Sequence, residues 1–208
     1  MLITKFLVKC NKENVLSSID CFEDSPIFEQ VAEEFDAIEE TAYEMIKPYA
    51  LFEIGEITEN IASELIPAGT KALYLIMTVG AMISEWSNEL FHEGNYLAGL
   101  LANSMADDYL FQIDDFVKGV IQKECQNRNL GILKRLEAPL DIAIEAQRAV
   151  WEITKAKEVL GINMNASYMY DPVKSMSHIF LLEEGLDEYH IDHDCSKCMA
   201  FQCHKKNK

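Results

Sequence analysis

"KALYLIMTVGAMISEWSNELFHEGNYLAGLLANSMADDYLFQIDDFVKGVIQKE", residues 71–124, is the stretch whose reading decides the fold class. Its first ten residues, 71–80, are apolar almost throughout. A short run of that kind predicts a central strand buried on both faces. A helix follows through "ISEWSNELFHEG", and Gly94 is a strong stop signal. Residues 95–124 then place Leu97, Leu101, Met105, Tyr109, Ile113, Phe116 and Val120 on one stripe at three- and four-residue steps. That period predicts a long amphipathic helix. One strand followed by two helices is not a strand–helix alternation, and it points to α+β.

The flanking sequence adds similar elements. In "SPIFEQVAEEFDAIEETAYEMIKPY" (25–49), Ser25 is placed to cap a helix and Pro26 to occupy its first position. Phe28, Val31, Phe35, Ile38, Ala42 and Met45 give that helix an apolar face, and Pro48 ends it. "YALFEI" (49–54) reads as a short strand and "SHIFLLEE" (177–184) as another. "LDIAIEAQRAVWEITKAKEVLG" (140–161) reads as one helix, entered after Pro139 and ended by Gly161. Periodicity stops near residue 186, which divides the chain into a domain, 1–186, and a cysteine-rich tail, 187–208.

The 208 residues suit one domain with a short appendage. Acids outnumber bases 35 to 18, a net charge of −17 that repels phosphate backbones and argues against nucleic acid as a partner. The segment "MLITKFLVKC" lacks the apolar core and cleavage site of a signal peptide. The longest nearly apolar run, 72–83, is too short to span a bilayer. The expectation is a cytoplasmic protein with no membrane partner, whose thiols stay reduced.

The tail "HIDHDCSKCMAFQCHKKNK" carries the sharpest chemical signal. Cys195, Cys198 and Cys203 stand at a spacing that lets thiolates converge on one metal. An iron–sulfur cluster and a tetrahedral zinc completed by a histidine both fit that donor set, and softness does not separate them. Cys10, Cys21 and Cys125 are dispersed and read as buried small hydrophobes. No phosphate-binding loop, dinucleotide fingerprint or nucleophile elbow is present. The acid pairs Asp107-Asp108 and Asp114-Asp115 read as a solvated helix face, and His92 and His178 as single histidines without a partner.

"LGINMNASYMYDPVKSMSHIFLL" (160–182) resembles the closing segment of the activation domain of cobalamin-dependent methionine synthase, with Met169, Pro172, Ser175 and Ser177 on its fixed positions. Residues 73–117 are similar to the same domain's order of strand, helix and long helix. The tail is similar to the ends of stand-alone relatives from anaerobic bacteria. The resemblance implies long helices packed on a small, mostly antiparallel sheet. It also implies binding of S-adenosylmethionine and remethylation of cob(II)alamin after one-electron reduction. The cobalamin would be carried by a partner, a corrinoid methyltransferase protein, with a low-potential electron donor upstream. Carried over to this chain, the ligand contacts are Asp115 on the long helix, Arg135, and Tyr189 twelve residues after Ser177. Arg135 opens the family's Arg-x-x-x-Gly-Tyr motif, but Pro139 and Leu140 stand where glycine and tyrosine belong.

Overall fold

The computed structural model describes residues 1–59, 61–63 and 66–194. The apolar run is the strand β3, Lys71–Thr78, in the middle of a five-stranded sheet of order β1-β2-β3-β7-β4. The others are β1 (Leu2–Ile3), β2 (Tyr49–Glu56), β4 (Leu130–Leu136) and β7 (Ser175–Glu184), and every neighbouring pair is antiparallel. β3 is apolar at successive positions because both of its faces are covered. Leu73, Leu75 and Met77 enter one core, and Ala72, Tyr74 and Ile76 enter the other. Each such fully buried large side chain contributes about 1.5–3 kcal/mol.

The larger core lies beneath four helices: α1 (Lys12–Ser18), α2 (Phe28–Met45), α3 (Met82–His92) and α4 (Tyr96–Asn127). α4 is about 48 Å long at 1.5 Å per residue, and it buries Leu101, Met105, Ile113, Val117 and Ile121 against the sheet. Gly94, at φ 85°, takes the left-handed conformation that lets the chain turn from α3 into α4. The opposite face is covered by α5 (Ala146–Ile153), α6 (Ala156–Leu160) and the small hairpin β5 (Asn163–Met164) and β6 (Tyr170–Asp171). The expected α+β fold, helices on a small antiparallel sheet, is the observed one.

Several local expectations change. α2 starts at Phe28, not at Pro26, because Ser25 instead accepts from the Phe22 N–H and closes a turn ahead of the helix. The helix expected over 140–161 is two short ones, broken at Lys155, whose φ of 55° is left-handed. Among the described residues no helix is long and apolar enough to cross a membrane.

Candidate functional site

Arg135 sits on β4, and a β-bulge decides which way it points. Ile132 pairs with Leu182 and Lys134 with Leu181, so Leu133 is an extra residue in the ladder. Side chains alternate faces along a strand, so one inserted residue exchanges the faces of all that follow. Were Leu133 to keep the regular alternation rather than form the bulge, Lys134 would face α4. With it Arg135 does, beside Phe180, and Lys134 turns outward to Asp141 at 3.3 Å.

The guanidinium is held on three sides. Nη1 donates to Asp114 Oδ2 of α4 at 2.9 Å, Nη2 donates to His178 Nε2 of β7 at 2.9 Å, and Nε lies 2.5 Å from Glu137 Oε1. An arginine can only donate, so His178 Nε2 accepts and its ring proton sits on Nδ1, on the Glu137 side. Lys118 extends the cluster, with Nζ 2.9 Å from Asp115, 3.1 Å from Asp192 and 3.7 Å from Asp114. His193 Nδ1 lies 2.6 Å from Glu137 Oε2. The Asp114 and Arg135 side chains are only 3% and 6% exposed, so this is an interior ionic network.

Its electrostatics follow from burial and neighbours. Burial pushes the Asp114 carboxyl up, but the Arg135 and Lys118 cations beside it outweigh it and hold the group well below the usual carboxylate range. His178 is pushed down by burial and then by the Arg135 charge, against the pull of Asp114 and Glu137, which favours the neutral ring. Burial works against the Lys118 ammonium, yet Asp114 and Asp115 hold it above its ordinary value.

Above the network opens a cleft of about 230 Å³. Glu137, Ala138 and His178 form its inner side, Gln147 of α5 one wall, and the segment from Met169 to Ser177 the other. That second wall is the stretch that carries the sequence resemblance. Tyr170 is tied into it by donating to Ser177 Oγ at 2.8 Å and to the Gln147 carbonyl at 3.0 Å. Met169, Val173 and Met176 make the cleft apolar over one side, and no lysine or arginine lines it.

The residues named from sequence therefore fall as follows. Arg135 and Asp115 belong to one network, joined through Asp114 and Lys118, with Asp115 on its exposed rim. Tyr189 forms a parallel bridge with Ile132, and the chain around it is fastened there by Ile132 N–H to Glu188 O and His190 N–H to Ile132 O, both 2.8 Å. Gly131 allows this crossing, because a Cβ there would meet the Leu186 carbonyl oxygen at 2.6 Å. Ile191 is buried in the larger core. Cys195, Cys198 and Cys203 lie outside the described residues, and among the described residues no cluster of metal ligands occurs. His178, Asp114 and Glu137 were not singled out from sequence as site residues. The even spacing of His178, Phe180 and Leu182 on a strand was a signal that this histidine faces the helical core.

No protein-family model and no curated protein matches the sequence. Among solved structures, the crystal structure of the MetH reactivation domain bound to AdoHcy matches 89% of this chain and 74% of its own, at a TM-score of 0.59 and 10% identity. The chain has the fold of the MetH reactivation domain. The resemblance noted in residues 73–117 and 160–182 is thus matched by the fold, and at 10% identity the side-chain roles follow from this chain's own residues.

An S-adenosyl group can be tested against the residues present. The cleft offers the apolar side chains of Met169, Val173 and Met176 together with an amide and hydroxyls, a mixture that fits a nucleoside thioether. A free guanidinium fork for a carboxylate is not offered, since Nε, Nη1 and Nη2 of Arg135 all face internal partners.

Proposed function

We propose that the protein supports corrinoid-dependent methyl transfer, by reductive activation or repair of a cobalamin protein, and that its cleft binds an S-adenosyl compound. The observation that carries this reading is the fold shared over 89% of the chain with a reactivation domain crystallised with AdoHcy. The cleft beside Arg135 and His178, walled by the segment 169–177, is where the ligand would lie. A bound S-adenosylmethionine supplies a transferable methyl group. The residues of this chain bind the nucleoside, exclude water with Met169 and Met176, and keep Glu137 and His178 in place through Arg135. In this reading Arg135 acts from beneath the cleft, and Asp115 and Tyr189 act as its outer supports through Lys118 and the β4 edge.

The partner is a corrinoid-carrying methyltransferase protein. The tail cysteines Cys195, Cys198 and Cys203 share one metal centre, an iron–sulfur cluster that passes an electron from a low-potential donor. Zinc is the alternative metal for the same thiolates. Two residues before Cys195, His193 contacts Glu137, which lines the cleft, so the chain leading to the cysteines is fastened at the candidate site.

Calorimetric titration of AdoHcy into the full chain tests the ligand. Binding that is abolished by Gln147→Trp, which fills the cleft, is the expected result. Failure to bind, or equal binding by the filled variant, rejects the assignment.

A further inference from the structure

An S-adenosyl amino acid carries a carboxylate that Arg135 cannot take, because its guanidinium nitrogens face Asp114, His178 and Glu137. Of the chain's three arginines, Arg128 is likewise paired, with Glu124. The third, Arg148, stands at the rim of the cleft. The two walls are tied together beside it. Tyr170 donates to the Gln147 carbonyl at 3.0 Å, and the Arg148 guanidinium lies over the Tyr168 ring, 5.1 Å from its centroid. Gln147 and Met169 line the cleft, so Arg148 and Tyr168 are the next residue on either wall, the first exposed and the second half-buried.

The ring is placed there against its backbone preference. Tyr168 has a φ of 64°, in the left-handed region that a bulky residue seldom enters. Asn165 holds it so. Its Oδ1 accepts from the Ser167 and Met169 N–H groups at 2.8 and 3.0 Å, and its carbonyl accepts from the Tyr168 N–H at 3.1 Å. Stacking on a ring uses the face of a guanidinium and leaves its N–H groups, which lie in its plane, open to a ligand. Among the described residues the Arg148 side chain has no carboxylate partner.

We infer that Arg148, held flat by Tyr168, binds the carboxylate of an S-adenosyl amino acid at the rim, while the thioadenosine lies in the cleft. This rests on the adenosyl reading above and names the residue that makes the site prefer the whole amino acid to a bare thionucleoside. The fork of N–H donors matches the two oxygens of a carboxylate. The ligand's chain beyond sulfur is flexible and can carry that carboxylate out of the apolar cleft. Inside the cleft it would lose water with no lysine or arginine on the walls, which is unfavourable. At the rim it keeps part of its water and gains a cation.

AdoHcy and 5′-methylthioadenosine, which lacks the amino acid, are titrated calorimetrically into the full chain and into Arg148→Gln, Arg148→Lys and Tyr168→Gly. Wild type is expected to bind AdoHcy about threefold or more tightly than the thionucleoside, the size of effect an exposed charge pair supports. Arg148→Gln should weaken AdoHcy by about that factor and change 5′-methylthioadenosine by less than about twofold. Arg148→Lys keeps the charge without the planar fork and should lose less than Arg148→Gln. Glycine accepts a φ of 64° without strain, so Tyr168→Gly removes the ring and keeps the turn. It should weaken AdoHcy by about twofold and spare the thionucleoside. Equal wild-type affinity for the two ligands overturns the inference and leaves the adenosyl reading standing. So does AdoHcy binding unchanged by Arg148→Gln, or equal weakening of both ligands by it. If neither ligand binds wild type, the adenosyl reading falls and this inference with it. The wild-type comparison stands even if a variant does not fold.

Discussion

His178 is neutral inside the protein because burial and Arg135 push its pKa below the ordinary 6.5. The sign of the resulting pH dependence is fixed. As pH falls below about 6.5 the unfolded chain takes up a proton that the native ring resists, so stability declines, by at most about 1.4 kcal/mol per pH unit. Above that pH the contribution is fully present. Asp114, with its pKa held down, adds stability that is fully present above about 4 and is lost as pH falls further. Thermal melts of wild type between pH 7 and 5 should therefore slope downward with acid. His178→Gln keeps an acceptor for Arg135 but cannot titrate, and it should flatten that slope; an unchanged slope contradicts the neutral assignment. Asp108 lies on the same helix as Asp114. Read from sequence as solvated, it is 4% exposed and accepts from the Asn11 N–H at 2.7 Å and the Asn14 amide at 3.0 Å. Asp108→Ala strands both donors and should cost about 1–3 kcal/mol in denaturant unfolding. In each acid pair one member faces inward, Asp108 and Asp114, and only their partners Asp107 and Asp115 are more open. Apolar spacing located the helix stripe, but the partners of a buried acid lie on other elements and leave no local mark.

The central elements were legible because both of their signals are local: the unbroken run of β3, and the stripe of α4 with Gly94 before it. β4 was not read as a strand. "LGILKRL" is short and has no clean alternation, since the bulge at Leu133 breaks its period. The break between α5 and α6 was also hidden, because Thr154 and Lys155 are ordinary helix residues by propensity. Thr154 turns its hydroxyl back to the Val150 carbonyl at 2.7 Å, just before the left-handed Lys155. Deleting Leu133 restores a regular ladder without changing faces, because Lys134 stays opposite Leu181 and Arg135 stays opposite Phe180, within reach of Asp114. The deletion should therefore be much milder than Arg135→Leu, which leaves Asp114 and Glu137 without their cation and should cost about 3–5 kcal/mol, both read as shifts of the denaturant midpoint. A deletion as costly as Arg135→Leu would show that the register is not held as described.

At the scale of the molecule, the sheet separates two cores. The edge strand β4, with the chain 186–193 fastened along it, brings the segment leading to the cysteines to Glu137 at the cleft, through His193. If the three tail thiolates share a metal, Cys195→Ser, Cys198→Ser and Cys203→Ser should each lower the metal content of anaerobically purified protein. Cys125→Ser should not: burial pushes that thiol up to about 11, which disfavours the thiolate that ligation needs. Equal metal content in all four variants would remove the tail centre from the account. A net charge of −17 further predicts that docking to a corrinoid protein slows as salt is raised, because exposed charges are screened over about 8 Å at physiological ionic strength. The most direct measurement mixes the reduced, metal-loaded protein with a cob(II)alamin-loaded corrinoid protein from the same organism and follows the cobalt absorption spectrum. The account predicts association with loss of the cob(II)alamin spectrum, faster when S-adenosylmethionine is present. A cobalt spectrum unchanged by the loaded protein, with no association, would contradict it.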